Sequence, residues 1–155
     1  MPRTRTRSDD AARATTFSFV NEHPPADPET ARAHFLDRLS VETDPADVHR
    51  DLERCPERIQ VIDVRTEEAY GACHVPGAIH LPHRSIGRET TAELHRDRTL
   101  VTYCWGPGCN AADKGAARLS ALGFRVKVMI GGLEYWRKEG YEVEGTAGAD
   151  APLYG

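Results

Sequence analysis

The sequence predicts an α/β domain with a mostly parallel central sheet flanked by helices on both faces. Three observations carry that expectation. Short strand-forming runs recur at 59–64, 78–81, 99–103 and 126–130. Segments with helical signals alternate with them, the pattern of strand–helix–strand units. The helical segments also carry start and stop residues: Asp-Pro at two openings and Gly at two ends. A chain of 155 residues fits one such domain with a tail or two. Folded as one unit, a chain of this size buries roughly 70% of its unfolded surface, so one ordinary core suffices.

Residues 1–27 are rich in Arg, Thr, Asp and Pro, and read as a flexible N-terminal arm. Phe17, Phe19 and Val20 are its apolar cluster and the expected local docking point. The domain is expected over 28–144. Asp27-Pro28-Glu29 opens a helix over about 28–40, with Ala31, Phe35, Leu36 and Leu39 at helical spacing. Asp44-Pro45-Ala46-Asp47 opens a second, with Val48 and Leu52 as its stripe and Pro56 as its stop. The run 59–64 is a buried strand, and 65–72 is a short Glu-rich helical turn. Residues 78–81 form a small strand, and 89–95 a turn of helix. The strand 99–103 runs into Cys104. Beyond a Gly-Pro-Gly loop, 111–122 is a helix with Ala116, Leu119 and Leu122 on one face, stopped by Gly123. Strand 126–130 follows, then Gly131-Gly132 and a helix around Leu133 and Trp136 that Gly140 ends. Residues 145–155 are small and polar and read as a loose C-terminal tail.

Composition narrows the function. Lys and Arg number 20 against 24 Asp and Glu, a net charge of −4. No basic face is implied, so nucleic acid is not an expected partner. No apolar run could span a membrane, and no apolar stretch follows the basic residues Met1 to Arg7. A cytoplasmic location is the expectation. The oligomeric state is not readable. The four cysteines, Cys55, Cys73, Cys104 and Cys109, lack the paired spacing of a zinc site, so no metal and no cofactor are expected.

The chemistry concentrates in Tyr103-Cys104-Trp105-Gly106-Pro107-Gly108-Cys109-Asn110-Ala111. Ligands of open α/β sheets bind outside the carboxyl ends of strands. A cysteine there, ahead of a Gly-rich loop and a helix, meets free N–H groups and the positive end of the helix dipole. Such a setting stabilises a thiolate as it would any anion. Cys104 is the expected nucleophile, and Trp105, Gly106, Pro107, Gly108, Cys109 and Asn110 are the expected substrate-binding loop. The loop carries no charge, and the first cation after it is Lys114. An anionic substrate is therefore expected to lean on backbone amides, and a Cβ at Gly106 to disturb it more than loss of Lys114.

Three motifs in order make the chain resemble a rhodanese-like sulfurtransferase domain. They are Val61-Ile62-Asp63-Val64-Arg65 followed by Glu68-Ala69-Tyr70, then His74-Val75-Pro76-Gly77-Ala78-Ile79-His80-Leu81-Pro82, then the Cys104 loop closed by Gly131-Gly132-Leu133-Glu134-Tyr135-Trp136. The resemblance spans about residues 40–144. It implies a single rhodanese-like domain in which Cys104 takes a sulfane sulfur from a small anionic donor such as thiosulfate. A thiol or cyanide acceptor would then take the sulfur from the Cys104 persulfide. Asp63, Arg65 and His74 would be supporting residues, with an Asp63–Arg65 ion pair fixing the end of the strand. Cys73 stands before His74 where the family usually has Gly. Phosphatases of related fold end their loop with an arginine; here Asn110-Ala111 stands in its place, which argues against phosphate chemistry. Two other readings fit the same residues. One is a thiol–disulfide or redox-gated protein using Cys104 and Cys109. The other is a non-catalytic binding module on the same fold.

Overall fold

The computed structural model describes residues 16–153. Two compact units divide at Leu36. In the first, Phe17 and Phe19 meet edge to face at 4.9 Å, and with Val20 they are exposed. Residues 1–15 of the expected arm lie outside the described range. Helix α1 (Pro28–Val41) begins where the Asp-Pro signal puts it, with the Asp27 carboxylate accepting from the amides of Glu29 and Thr30. Its apolar stripe, however, is not a core face: Phe35, Leu36 and Leu39 are exposed.

The second unit holds a five-stranded parallel sheet, β1 (Glu42–Thr43), β2 (Ile59–Asp63), β3 (Ile79–His80), β4 (Thr99–Tyr103) and β5 (Val126–Met129), in the order β1-β5-β4-β2-β3. Helices α2 (Pro45–Arg54), α3 (Glu67–Ala72), α4 (Ala111–Ala121) and α5 (Gly132–Lys138) complete it. The period-2 alternation of the strands builds two cores. Ile59, Val61, Val101 and Tyr103 face one way, toward Val48 of α2 and Leu133 and Trp136 of α5. Ile62, Leu100 and Cys104 face the other way, toward Ala112 and Leu119 of α4. The large side chains Trp136, Ile62, Leu100 and Leu119 are essentially fully buried, and burial of each such side chain stabilises by about 1.5–3 kcal/mol.

Local signals explain most boundaries. The Asp44 carboxylate caps α2 through the Asp47 amide at 2.8 Å, with Pro45 in the first turn. Gly123 and Gly140 adopt left-handed φ of 87° and 80° just past α4 and α5. Two expectations need correction. Residues 89–95 form successive turns instead of a helix. There Thr90 Oγ1 donates to the Ser85 carbonyl and Thr91 Oγ1 to the Gly87 carbonyl, so side chains compete for the backbone. The part of the expected loose tail over 145–151 is also not loose. Glu144 forms an antiparallel bridge with His74, the Thr146 and Ala147 amides donate to Gly71 and Ala72, and Ala151 is buried. Arg137 donates to the carbonyls of Ala149 and Ala151, pinning this segment to α5.

Candidate active site

Cys104 follows β4 at the carboxyl edge of the sheet and is 4% exposed. Neighbouring elements fix it on three sides. Residue by residue, β4 is paired with β2, so Tyr103 lies opposite Asp63. The Thr102 hydroxyl donates to the Ala112 carbonyl at 3.1 Å, holding the start of α4 against the strand. The Cys104 and Trp105 carbonyls accept from the Leu133 and Glu134 amides at 3.0 and 2.8 Å. That last contact explains Gly131-Gly132. Gly132 has φ of 59°, and a Cβ there would collide with the Cys104 carbonyl. The glycine pair lets α5 seat directly on the strand end that carries the cysteine.

The loop 104–110 turns on a Cys109 N–H to Gly106 carbonyl bond of 3.1 Å. Among the described residues, the amides of Trp105, Gly106, Gly108 and Asn110 make no intramolecular backbone hydrogen bond. Such free donors beside a helix N-terminus are the apparatus of an anion cradle. Cys104 and Cys109 are joined by a disulfide across the loop, with their Cα atoms 6.3 Å apart. Cys109 is half-buried, while Pro107, Gly108 and Asn110 are exposed. A Cβ on Gly106 would meet the Glu134 carboxylate at 2.7 Å. That is the far end of a flexible side chain, so a Cβ is accommodated more easily at Gly106 than at Gly132.

Two cavities flank this loop, and both reach Cys104 and Cys109. The first, of about 260 Å³, includes Glu42, Pro107, Asp113 and Gly131 in its wall. Glu42 is paired with Arg38 at 3.1 Å. The second, of about 380 Å³, is lined by Arg65, Thr66, His83, Arg84 and Trp105 among others. Arg65 comes from the first motif, whereas His83 and Arg84 come from the segment directly after Pro82. His83 donates its amide to the Val64 carbonyl at 3.1 Å, which sets the turn His83–Ser85 at the end of β2, beside the cysteine strand. Arg118 of α4 donates to the His83 carbonyl and stands 2.9 Å from its Nδ1. Partial burial, then the charges of Arg118, Arg84 and Lys114, hold the His83 pKa below its ordinary value. His83 is therefore largely neutral at neutral pH, and Arg84 supplies the free charge.

The expected supporting residues fall into two groups. Asp63 and Arg65 form a buried ion pair of 2.7 Å. Arg65 also donates to the Cys73 carbonyl, and the Tyr103 hydroxyl donates to Asp63 at 2.6 Å while accepting from the Val75 amide. Burial opposes the Arg65 charge, but the bonds and charge of Asp63 outweigh it and keep its pKa above the usual value. Burial and the Asp63 carboxylate push the Tyr103 phenol well up, so it stays a donor. Arg65 reaches the cation-lined cavity, whereas Asp63 lines neither cavity. His74 lies outside both as well. It contacts the Tyr70 carbonyl through Nδ1 at 2.7 Å, stacks on the Tyr70 ring, and faces Glu144. Trp105 lines the second cavity and its ring lies over Gly108. Sequence reasoning missed His83, Arg84 and Arg118. Its one available signal was the basic dipeptide directly after Pro82.

Comparison with known proteins agrees with this geometry. Residues 44–139 match the model of the rhodanese-like domain. The chain is 35% identical over 78 residues to thiosulfate sulfurtransferase GlpE of Pseudomonas syringae, covering 50% of this chain and 71% of that one. It is 36% identical over 86 residues to the HTH-type transcriptional regulator Rv0324 of Mycobacterium tuberculosis. That match covers 56% of this chain but only 38% of the regulator. Among solved structures, the BH2092 protein of Bacillus halodurans superposes with a TM-score of 0.81 at 51% identity, covering 83% of this chain and 94% of that one. No helix among the described residues is long and apolar enough to cross a membrane. With a family match across more than half its length, and with the parallel sheet ending in a cysteine loop, this chain belongs to the rhodanese-like domain family.

Proposed function

We propose that the chain is a sulfurtransferase in which reduced Cys104 attacks the sulfane sulfur of a small anionic donor. With thiosulfate, the Cys104 thiolate bonds the outer sulfur, the S–S bond of the donor breaks, and sulfite leaves with its electron pair. The sulfur then sits on Cys104 as a persulfide until a thiol or cyanide acceptor takes it. The observation that carries this reading is the setting of Cys104 at a strand end. It lies under a loop of free amides and opens onto a cavity bearing Arg84. The amides and the start of α4 favour thiolate and persulfide anions alike. Arg84 favours the approach of the donor from that side.

The joined cysteines favour a second reading, redox control of the same thiol, since a disulfide Cys104 cannot attack a donor. One experiment addresses the first. Protein reduced and freed of reductant is incubated with thiosulfate, and its intact mass and peptide map are measured. The expected result is the mass of one added sulfur, or its released product, dependent on Cys104. A chain that neither gains sulfur nor consumes thiosulfate rejects sulfur transfer from this donor.

A further inference from the structure

We propose that Cys109 is a resolving thiol, which makes the protein a sulfide-releasing enzyme as well as a sulfur carrier. This rests on the sulfurtransferase reading, because it begins from the Cys104 persulfide. In the step, the Cys109 thiolate attacks Sγ of Cys104. A Cys104–Cys109 bond forms, the bond from Cys104 to the outer sulfur breaks, and that sulfur leaves with the electron pair as hydrosulfide. Two thiols are thereby oxidised to a disulfide, and the sulfane sulfur is reduced to sulfide. An external dithiol then attacks the disulfide, leaves oxidised, and returns both cysteines as thiols.

Four observations carry the step. The bond the displacement would make is the bond the structure contains, at a Cα separation of 6.3 Å that lies within normal disulfide reach. The attacking thiol is tethered in the same seven-residue loop, so it competes with dissolved thiols at a high effective concentration. Two cavities meet at Cys104, giving the outgoing sulfur open space beside the bond being made. Exposure is also graded in the useful direction: Cys104 is 4% exposed and Cys109 is half-buried. A dithiol can thus reach Cys109 and expel Cys104 as the thiolate that starts the next cycle. Hydrosulfide is the conjugate base of an acid stronger than an alkyl thiol, which makes it the better leaving group. The co-reactant this implies is a small or protein dithiol.

The test uses the full chain, reduced with a phosphine, desalted, and given thiosulfate without any added thiol. Wild type is expected to release about one sulfide per chain into a zinc trap and to lose the mass of two hydrogens. Cys109→Ser is expected to accumulate the added sulfur on Cys104 and to release sulfide at least about tenfold more slowly until dithiothreitol is supplied. Cys109→Ala, with the same circular dichroism and melting curve as wild type, should behave like the serine variant. If wild type holds its added sulfur as long as Cys109→Ser, the resolving role is overturned while the sulfurtransferase reading stands. Sulfur mapped to Cys109 with no sulfide released also overturns it. If no variant gains sulfur and no sulfide appears, both fall.

Discussion

The two cavities on either side of the Cys104 loop share a floor and differ in their walls. Both touch Cys104 and Cys109. One carries Glu42 and Asp113, and the other carries Arg84 and His83, with Arg65 already neutralised by Asp63. Backbone amides can hold an anion from either side, so they do not select a direction. The wall charges do. On the sulfurtransferase reading, the loop would provide reactivity and the flanking turn His83–Ser85 access, from segments about twenty residues apart in sequence.

The largest expected effect removes the shared floor. Cys104→Ser should reduce sulfur transfer to the uncatalysed background with the fold intact, as read by thiocyanate formation and by melting temperature. Transfer at a wild-type rate in that variant would remove the reason to connect the cavities at all. Next comes Gly132→Ala, which puts a Cβ against the Cys104 carbonyl at a φ of 59°. Strain of about 1–3 kcal/mol is expected there. It should appear as a lower melting temperature together with a lower kcat for any donor. Gly106→Ala should be milder, because the Glu134 carboxylate can swing away.

A smaller effect separates the walls. Arg84→Glu should raise KM for thiosulfate by about fivefold, on the order of 1 kcal/mol for an exposed charge, with kcat little changed. The effect should shrink as salt is added. Glu42→Gln on the other wall should change the same KM by less than about twofold, since Glu42 already has an arginine partner. Equal sensitivity of the two variants would break the distinction between the cavities. The smallest effect concerns His83. Its pKa lies below the ordinary histidine value, so it is largely uncharged at neutral pH and gains a proton as pH falls below that ordinary value. Donor affinity should rise in that window as a second free cation joins Arg84. His83→Asn should flatten the rise while leaving KM at neutral pH near wild type.

Much of this was legible in the residues. The β-branched runs marked β2 and β4, Asp-Pro marked the starts of α1 and α2, and a cysteine at a strand end before Gly-Pro-Gly marked the loop. What stayed hidden depends on topology. Nothing in the order of residues says that β4 lies beside β2, which is what brings the turn after Pro82 to the cysteine. Helical spacing located α1 but could not say whether Phe35 and Leu36 would be covered. The motif Gly131-Gly132 was visible, but its reason, the approach of α5 to the Cys104 carbonyl, is a three-dimensional fact. The ordered segment 144–151 depends on Arg137 of α5 and on His74, the latter far away in sequence.

Tyr103, the residue before Cys104, has a consequence for how the site opens. Its fully buried hydroxyl bridges the Asp63 carboxylate and the Val75 amide. The strand end cannot fray without breaking that bridge and exposing a charged pair, whereas the exposed Pro107 and Gly108 bear no such load. Amide hydrogen exchange at Val75 is thus expected to require global unfolding, and exchange at Gly108 only a brief local opening. The molecule would breathe around one sulfur while the other keeps still.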